Sequence, residues 1–235
     1  MQDKAKNKIQ LHADTPHLLL CEGADAYFFL LWFLDFLKKD TPAFGAFRVY
    51  NFGGIAEVRP YLRNLSRLED FKAIVRSLCI IRDAETDAAG ACQSLCTALK
   101  DTGFAAPDKP CCCMTDSRAY HAHISTGFVL FPGCSAALQN GTLEDLCLRM
   151  LAQGDAKTVL SSVDAALAPY RQQLPRLHKN RLHTYFSMTD AFVSLKVGEA
   201  ARDGAFCYAL AEMESLKAFL LQVANADNKG PNPAQ

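Results

Sequence analysis

The residues in this chain best suited to chemistry are carboxylates, and most of them sit just past apolar stretches. Glu22 closes the stretch HLLLC at 17–21, and Asp25 follows three residues on. Asp83 and Glu85 come directly after SLCII at 77–81, while Glu144 and Asp145 lie downstream of GFVLF at 127–131. Carboxylates that meet at one place repel each other unless a positive group sits among them. A hard divalent cation with oxygen ligands answers that need, and Mg²⁺ commonly takes one or two carboxylates and keeps waters for substrate phosphates. Asp83 and Glu85, one residue apart, can both reach an ion where the chain leaves a sheet and turns. Several acids also have a structural reading. Asp25 falls in the first turn of an expected helix, where the dipole favours a carboxylate. Asp87 suits the N-cap of the next helix, and Thr142 with Asp145 fits a capping box. Glu22 and Asp83 are harder to assign to structure, because a buried unpaired acid at the end of an apolar strand is costly. An acidic pocket of response-regulator type would have similar spacing.

The elements that must position these acids alternate in kind. Strands are expected at 17–21, 47–52, 77–81 and 127–131, with a short one within 111–116. Helices are expected at 24–38, 55–71, 87–100, 142–150, 155–174, 177–187 and 212–224, while 191–202 carries no clear pattern. Strands alternating with helices of this length predict βαβ units and a mainly parallel sheet. In such sheets ligands bind beyond the carboxyl ends of the strands, where the acids stand. The expected organisation is an α/β core over 15–152, a helical extension packed on it over 153–224, and a frayed tail at 225–235. The helix at 24–38 (YFFLLWFLDFL in its centre) is apolar on nearly every face, so it must be buried or lie at an interface.

Composition narrows the function classes. The 235 residues carry 25 Lys+Arg and 25 Asp+Glu, and half are hydrophobic. That excludes a disordered chain and disfavours an unspecific polyanion binder, which needs excess positive charge. The longest apolar run, 26–34, stops at Asp35 and falls far short of the roughly 20 residues a bilayer span requires, so no membrane partner is expected. No secretory leader pattern follows the charged N-terminus. The ten cysteines are therefore expected to be reduced thiols in a cytoplasmic protein. Cys92/Cys96 and Cys111-Cys112-Cys113 lack the two spaced pairs of a structural zinc site.

Basic residues gather in PRLHKNRLH, where a helix puts Arg176, Lys179 and His183 on one face, either to meet phosphates or as a solvated surface. Gly53-Gly54 closes a strand before a helix, which suits a tight turn or a phosphate nest, but the P-loop lysine is missing.

Two segments together carry a family resemblance. Leu18-Leu19-Leu20-Cys21-Glu22-Gly23-Ala24-Asp25, two βα steps, and then Ile80-Ile81-Arg82-Asp83-Ala84-Glu85 resemble the Toprim domain, whose signature is a Glu ending the first strand and a D-x-D at the third. More narrowly, the chain is similar to a group of Toprim-like prokaryotic proteins of unknown function, through Phe131-Pro132-Gly133, Gly141-Thr142-Leu143-Glu144-Asp145-Leu146 and Lys179-Asn180-Arg181-Leu182-His183-Thr184-Tyr185. The resemblance spans about 15–222 and reaches distantly to the nucleases of the overcoming-lysogenisation-defect family. It implies a Toprim/Rossmann-like α/β fold and Mg²⁺ or Mn²⁺ as cofactor. Glu22 would be the general acid/base or a ligand, with Asp83 and Glu85 as metal ligands and Asp25 as a supporting one. By analogy with the nuclease branch, Glu144 would serve a second metal and Lys179 would stabilise the transition state. Glu85 departs from the signature by one methylene. The expectation is metal-dependent phosphoryl transfer on nucleic acid, most directly phosphodiester cleavage. The alternatives are a catalytically degenerate scaffold acting through a homodimer or protein partner, and a nucleotide phosphohydrolase.

Overall fold

The computed structural model describes residues 9–134 and 137–225. The leader reading at the N-terminus and most of the expected tail lie outside the described residues. The elements run in the order β1 (His17–Glu22), α1 (Gly23–Leu37), β2 (Phe47–Gly53), α2 (Val58–Ser66), α3 (Phe71–Ile74), β3 (Ser77–Asp83), α4 (Ala88–Asp101), β4 (Cys113–Met114) and β5 (Ser125–Phe131). Five helices follow: α5 (Leu143–Leu151), α6 (Ala156–Leu167), α7 (Leu177–Ser187), α8 (Val197–Arg202) and α9 (Ala211–Ala224). The sheet order is β2-β1-β3-β5-β4. The first four strands in that order are parallel, and the two-residue β4 runs antiparallel at the edge. This is the mixed α/β, mostly parallel architecture that the alternation predicts.

The strands β1, β3 and β5 bury both faces, which is why their centres read as apolar runs, whereas β2 at the sheet edge exposes Arg48. Alternate residues go to opposite sides. Leu19, Cys21, Cys79, Ile81, Val129 and Phe131 join one core with α1, α5, α8 and α9. Leu18, Leu20, Leu78, Ile80, Phe128 and Leu130 join the other, with α2, α3 and α4.

The apolar helix α1 is covered from within the chain. Phe29, Phe33 and Phe36 meet the rings of Phe206 and Tyr208 from the segment after α8. The helix α8 crosses α1 so closely that a Cβ on Gly198 would lie 2.5 Å from Phe28 Cβ. Only glycine allows that approach.

Several expected elements differ in detail. The helix expected at 55–71 begins as a 3₁₀ turn, stops at Ser66 and resumes briefly at Phe71. The intervening Arg67-Leu68-Glu69-Asp70 makes turn bonds, with the Leu68 and Phe71 amides donating to the Leu65 and Leu68 carbonyls. The helix expected at 155–174 ends at Leu167 and tightens to a 3₁₀ segment at Pro169, which cannot continue the α-helical hydrogen bonding. The unassigned 191–202 contains the short α8. One thiol reading is corrected: Cys111 and Cys134, 23 residues apart, form a disulfide, while eight other cysteines are free. The topology places the loop before β4 against the end of β5, with the Cys111 amide donating to the Phe128 carbonyl. No spacing in the sequence announces that meeting. No helix among the described residues is long and apolar enough to cross a membrane.

Candidate functional site

The carboxyl ends of β1 and β3, together with the start of α5, form one acidic edge. Glu22 is the last residue of β1, and Gly23 follows with φ 84, a left-handed turn that frees the chain to enter α1. Asn51 Oδ1 fixes this corner by accepting from the Gly23 amide at 3.1 Å and the Gly53 amide at 2.8 Å. The glycine pair at 53–54 is therefore a turn held by Asn51.

Asp83 ends β3, and its Oδ1 accepts a 2.9 Å hydrogen bond from the amide of Leu143, the first residue of α5. The same helix start carries the expected capping box, with Asp145 Oδ2 accepting from the Thr142 amide at 2.9 Å. Asp87 is the expected N-cap of α4 and accepts from the Gly90 amide at 2.9 Å.

Glu85 is held through its backbone, which exchanges two 2.8 Å hydrogen bonds with Gly141. Its φ of 55 is a conformation non-glycine residues seldom adopt, at a cost of order 1–3 kcal/mol. Asn140 clamps the same two loops, accepting from the Ala88 amide at 2.9 Å and donating to the Thr86 carbonyl at 2.7 Å.

Positive groups reach this edge from two directions. Arg82, buried in β3, brings Nε within 3.4 Å of Glu22 Oε2. Its single Nε hydrogen is directed to the Asp83 carbonyl at 3.1 Å, so Glu22 Oε2 stays buried without a hydrogen bond. Lys179 of α7 reaches Glu144 at 3.1 Å, pairing a half-exposed ammonium with a buried carboxylate.

The electrostatics follow from this placement. Burial pushes the Glu22 carboxyl up; Arg82 opposes this and Glu85 adds to it. Asp83 is pushed up to about 7, first by burial and then by the fields of Glu144, Glu85 and Glu22, against the Leu143 hydrogen bond. For Glu144, burial also acts upward, but hydrogen bonds from Thr142 and its own amide, together with Lys179, outweigh it and hold the carboxyl below the usual range. Burial acts downward on Lys179, but Glu144 and Asp83 more than compensate and keep its ammonium firmly charged.

Five of the six residues singled out in the sequence therefore act on one another: Glu22, Asp83, Glu85, Glu144 and Lys179. Asp25 lies in the first turn of α1 as expected, and its Oδ1 faces the Gly198 amide of α8 at 3.5 Å. Among the described residues, no three His, Cys, Asp or Glu side chains stand close enough together to form a ready-made metal centre. The donor set is all oxygen, and the bond-free Glu22 Oε2 beside Asp83 fits a hard cation. Sequence reasoning missed Arg82, Asn51 and Asn140. A charged residue inside the otherwise apolar run Leu78-Cys79-Ile80-Ile81-Arg82 was the available signal for the first, whereas the two asparagines act across turns that only the fold brings together.

Beside this edge lies a cavity of about 490 Å³ between the 85–86 and 140–142 segments and the helices α5, α6 and α7.

A family model described as "Protein of unknown function (DUF3226)" matches residues 16–225, from the start of β1 to the end of α9. No curated protein and no solved structure matches the chain.

Proposed function

Because the chain belongs to this family of unknown function, we propose from the site itself that it is a Toprim-related, Mg²⁺- or Mn²⁺-dependent phosphoryl-transfer enzyme that cleaves nucleic acid phosphodiesters. The observation that carries the reading is the gathering of acids from separate elements at the carboxyl edge of the parallel strands, with Glu22 Oε2 lacking any hydrogen bond. A structural cluster would pair its acids more fully, because each uncompensated buried carboxylate destabilises the fold. The strained φ of Glu85 points the same way, since such conformations concentrate at functional sites.

In this reading Glu22, Asp83, Glu85 and Glu144, no three of which stand close enough to share an ion as they are, would draw together on the cation, which when bound would polarise the phosphate and lower the pKa of the attacking water. The chain's own groups do the rest. The Leu143 amide keeps Asp83 turned to the edge. Lys179 supplies positive charge beside Glu144, where a phosphate gathers negative charge during transfer. Glu22, its carboxyl raised by burial, is placed to exchange a proton at Oε2, while Arg82 limits that rise. Asp25 supports from the α8 side. The cytoplasmic setting belongs to the same reading; the eight free cysteines support it, Cys21, Cys79 and Cys147 being held as thiols by burial, and the Cys111–Cys134 disulfide counts against it.

The second reading, a degenerate scaffold acting through a partner, has one observation in its favour. Arg82 and Lys179 already supply the charge that a cation would bring. Much of the apolar surface of α1, which first suggested it, is occupied by α8 and the Phe206–Tyr208 segment, while Phe28 remains exposed. Cleavage of labelled single-stranded and duplex DNA and RNA with Mn²⁺ separates the two. We expect metal-dependent cleavage by the wild type and its loss in folded Asp83→Ala and Glu22→Ala variants. Cleavage that survives chelation, or is equal in the variants, would overturn the enzyme reading.

A further inference from the structure

The cavity beside the acidic edge is lined by apolar and nitrogen-bearing side chains that the phosphoryl-transfer reading does not use. Leu148 of α5 and Leu160 of α6, both buried, line it together with the exposed Ala152. Arg149 and His178 line it as well. The two arginines there differ in their commitments. Arg181 is tied by two hydrogen bonds, 2.6 and 2.8 Å, to Asp164. Arg149 is bonded to neutral Gln139 Oε1, at 3.3 Å from each terminal nitrogen, and forms no ion pair among the described residues. Asp145 lines the cavity too, but is engaged by the Thr142 amide and hydroxyl. At the mouth stands Glu85, one of the acids of the edge.

Apolar side chains that share a cavity with a guanidinium and an imidazole suit a flat ring that carries an anionic group. A volume of about 490 Å³ is the size of a small-molecule site. It is large enough for one base with its sugar, and a base seated in it cannot at the same time be paired with an opposite strand. We propose that this cavity seats the unpaired nucleotide next to the cleaved phosphodiester, base against Leu148 and Leu160, phosphate on Arg149 and His178. The substrate is then a single strand, or a frayed end, entering over Glu85. This assignment rests on the phosphoryl-transfer reading for its place in the reaction, but the binding it requires does not.

The test is fluorescence anisotropy with labelled oligo-dT and oligo-rU of about ten nucleotides, and with the same lengths paired into duplex, all in EDTA. The wild type should bind at least one single strand more tightly than its duplex. Arg149→Gln should weaken that binding by roughly tenfold, and Ala152→Trp, which fills the cavity from an exposed rim position, by a similar factor. Arg149→Gln should also lower the salt slope by about 0.7, as expected for one lost phosphate contact on a single strand. Arg63→Gln, an exposed cation on α2, should change binding less than twofold. Circular dichroism establishes that each variant is folded. No binding to either single strand, a preference for duplex, or equal loss in Arg149→Gln and Arg63→Gln would overturn the assignment. Metal-dependent cleavage that persists in an Ala152→Trp variant with normal affinity would sink the cavity and spare the chemistry. Cavity-dependent binding without any cleavage by the wild type would do the reverse.

Discussion

Asp83 holds the tension of this site. Its carboxyl is largely buried at the end of β3, in the fields of Glu144, Glu85 and Glu22, and accepts a hydrogen bond from the Leu143 amide. Its folded pKa, about 7, lies well above the ordinary aspartate value of about 3.8. The folded state therefore binds the proton more tightly than the unfolded one. This group's contribution to stability is fully present below about pH 4 and is lost as pH rises through about 7. Asp83→Asn keeps the acceptor for Leu143 and removes the charge. In metal-free buffer it should raise Tm at pH 8, by a stability on the order of 1–4 kcal/mol, and the gap from wild type should close near pH 4–5. Thermal scans at the two pH values decide it, and a variant less stable than wild type at pH 8 would contradict the electrostatic description. At this scale the sequence was readable because strand-end acids interrupt apolar runs. Arg82 escaped notice because the value of a buried guanidinium depends on which acid lies on the neighbouring strand. That pairing is set by sheet order, with β1 beside β3.

The elements were legible where burial is two-sided. Three of the four parallel strands, β1, β3 and β5, are centred on short apolar runs, β2 is an edge strand with Arg48 exposed, and all four lie where they were expected. What could not be read was where the helices break and what covers α1. The six-residue α8 is too short to show a period, and its importance lies in Gly198, whose missing side chain lets it reach Phe28. Gly198→Ala should push α8 off α1 and cost roughly 1–3 kcal/mol, the usual range for overpacking. It should also disturb the contact of the Gly198 amide with Asp25. Urea denaturation measures the cost, and a change below about 0.5 kcal/mol would show that the two helices are not closely fitted.

The whole molecule is held together more continuously than a core with an appendage would be. One hydrophobic cluster runs from Leu19 and Phe29 through Phe131 and Leu146 to Val197, Tyr208, Leu216 and Phe219. A chain ending at residue 152 would expose the aromatic face of α1, and it should show no cooperative unfolding transition and should bind a hydrophobic dye. A cooperative transition in that fragment would contradict the shared core. The neutral total charge also takes on a definite meaning at this scale. Acids occupy the carboxyl edge while Lys179 and Arg149 flank it, so the balance of 25 against 25 leaves opposite local fields side by side. Such a surface suits a metal site approached by a phosphate better than general adhesion to polyanions. The most direct measurement of the central claim is calorimetric titration of Mn²⁺ into the wild type, Glu22→Ala and Asp83→Ala. The account predicts saturable binding to the wild type and its loss in both folded variants. Wild-type protein that takes up no Mn²⁺ at millimolar concentration, or variants that bind it equally, would contradict the account.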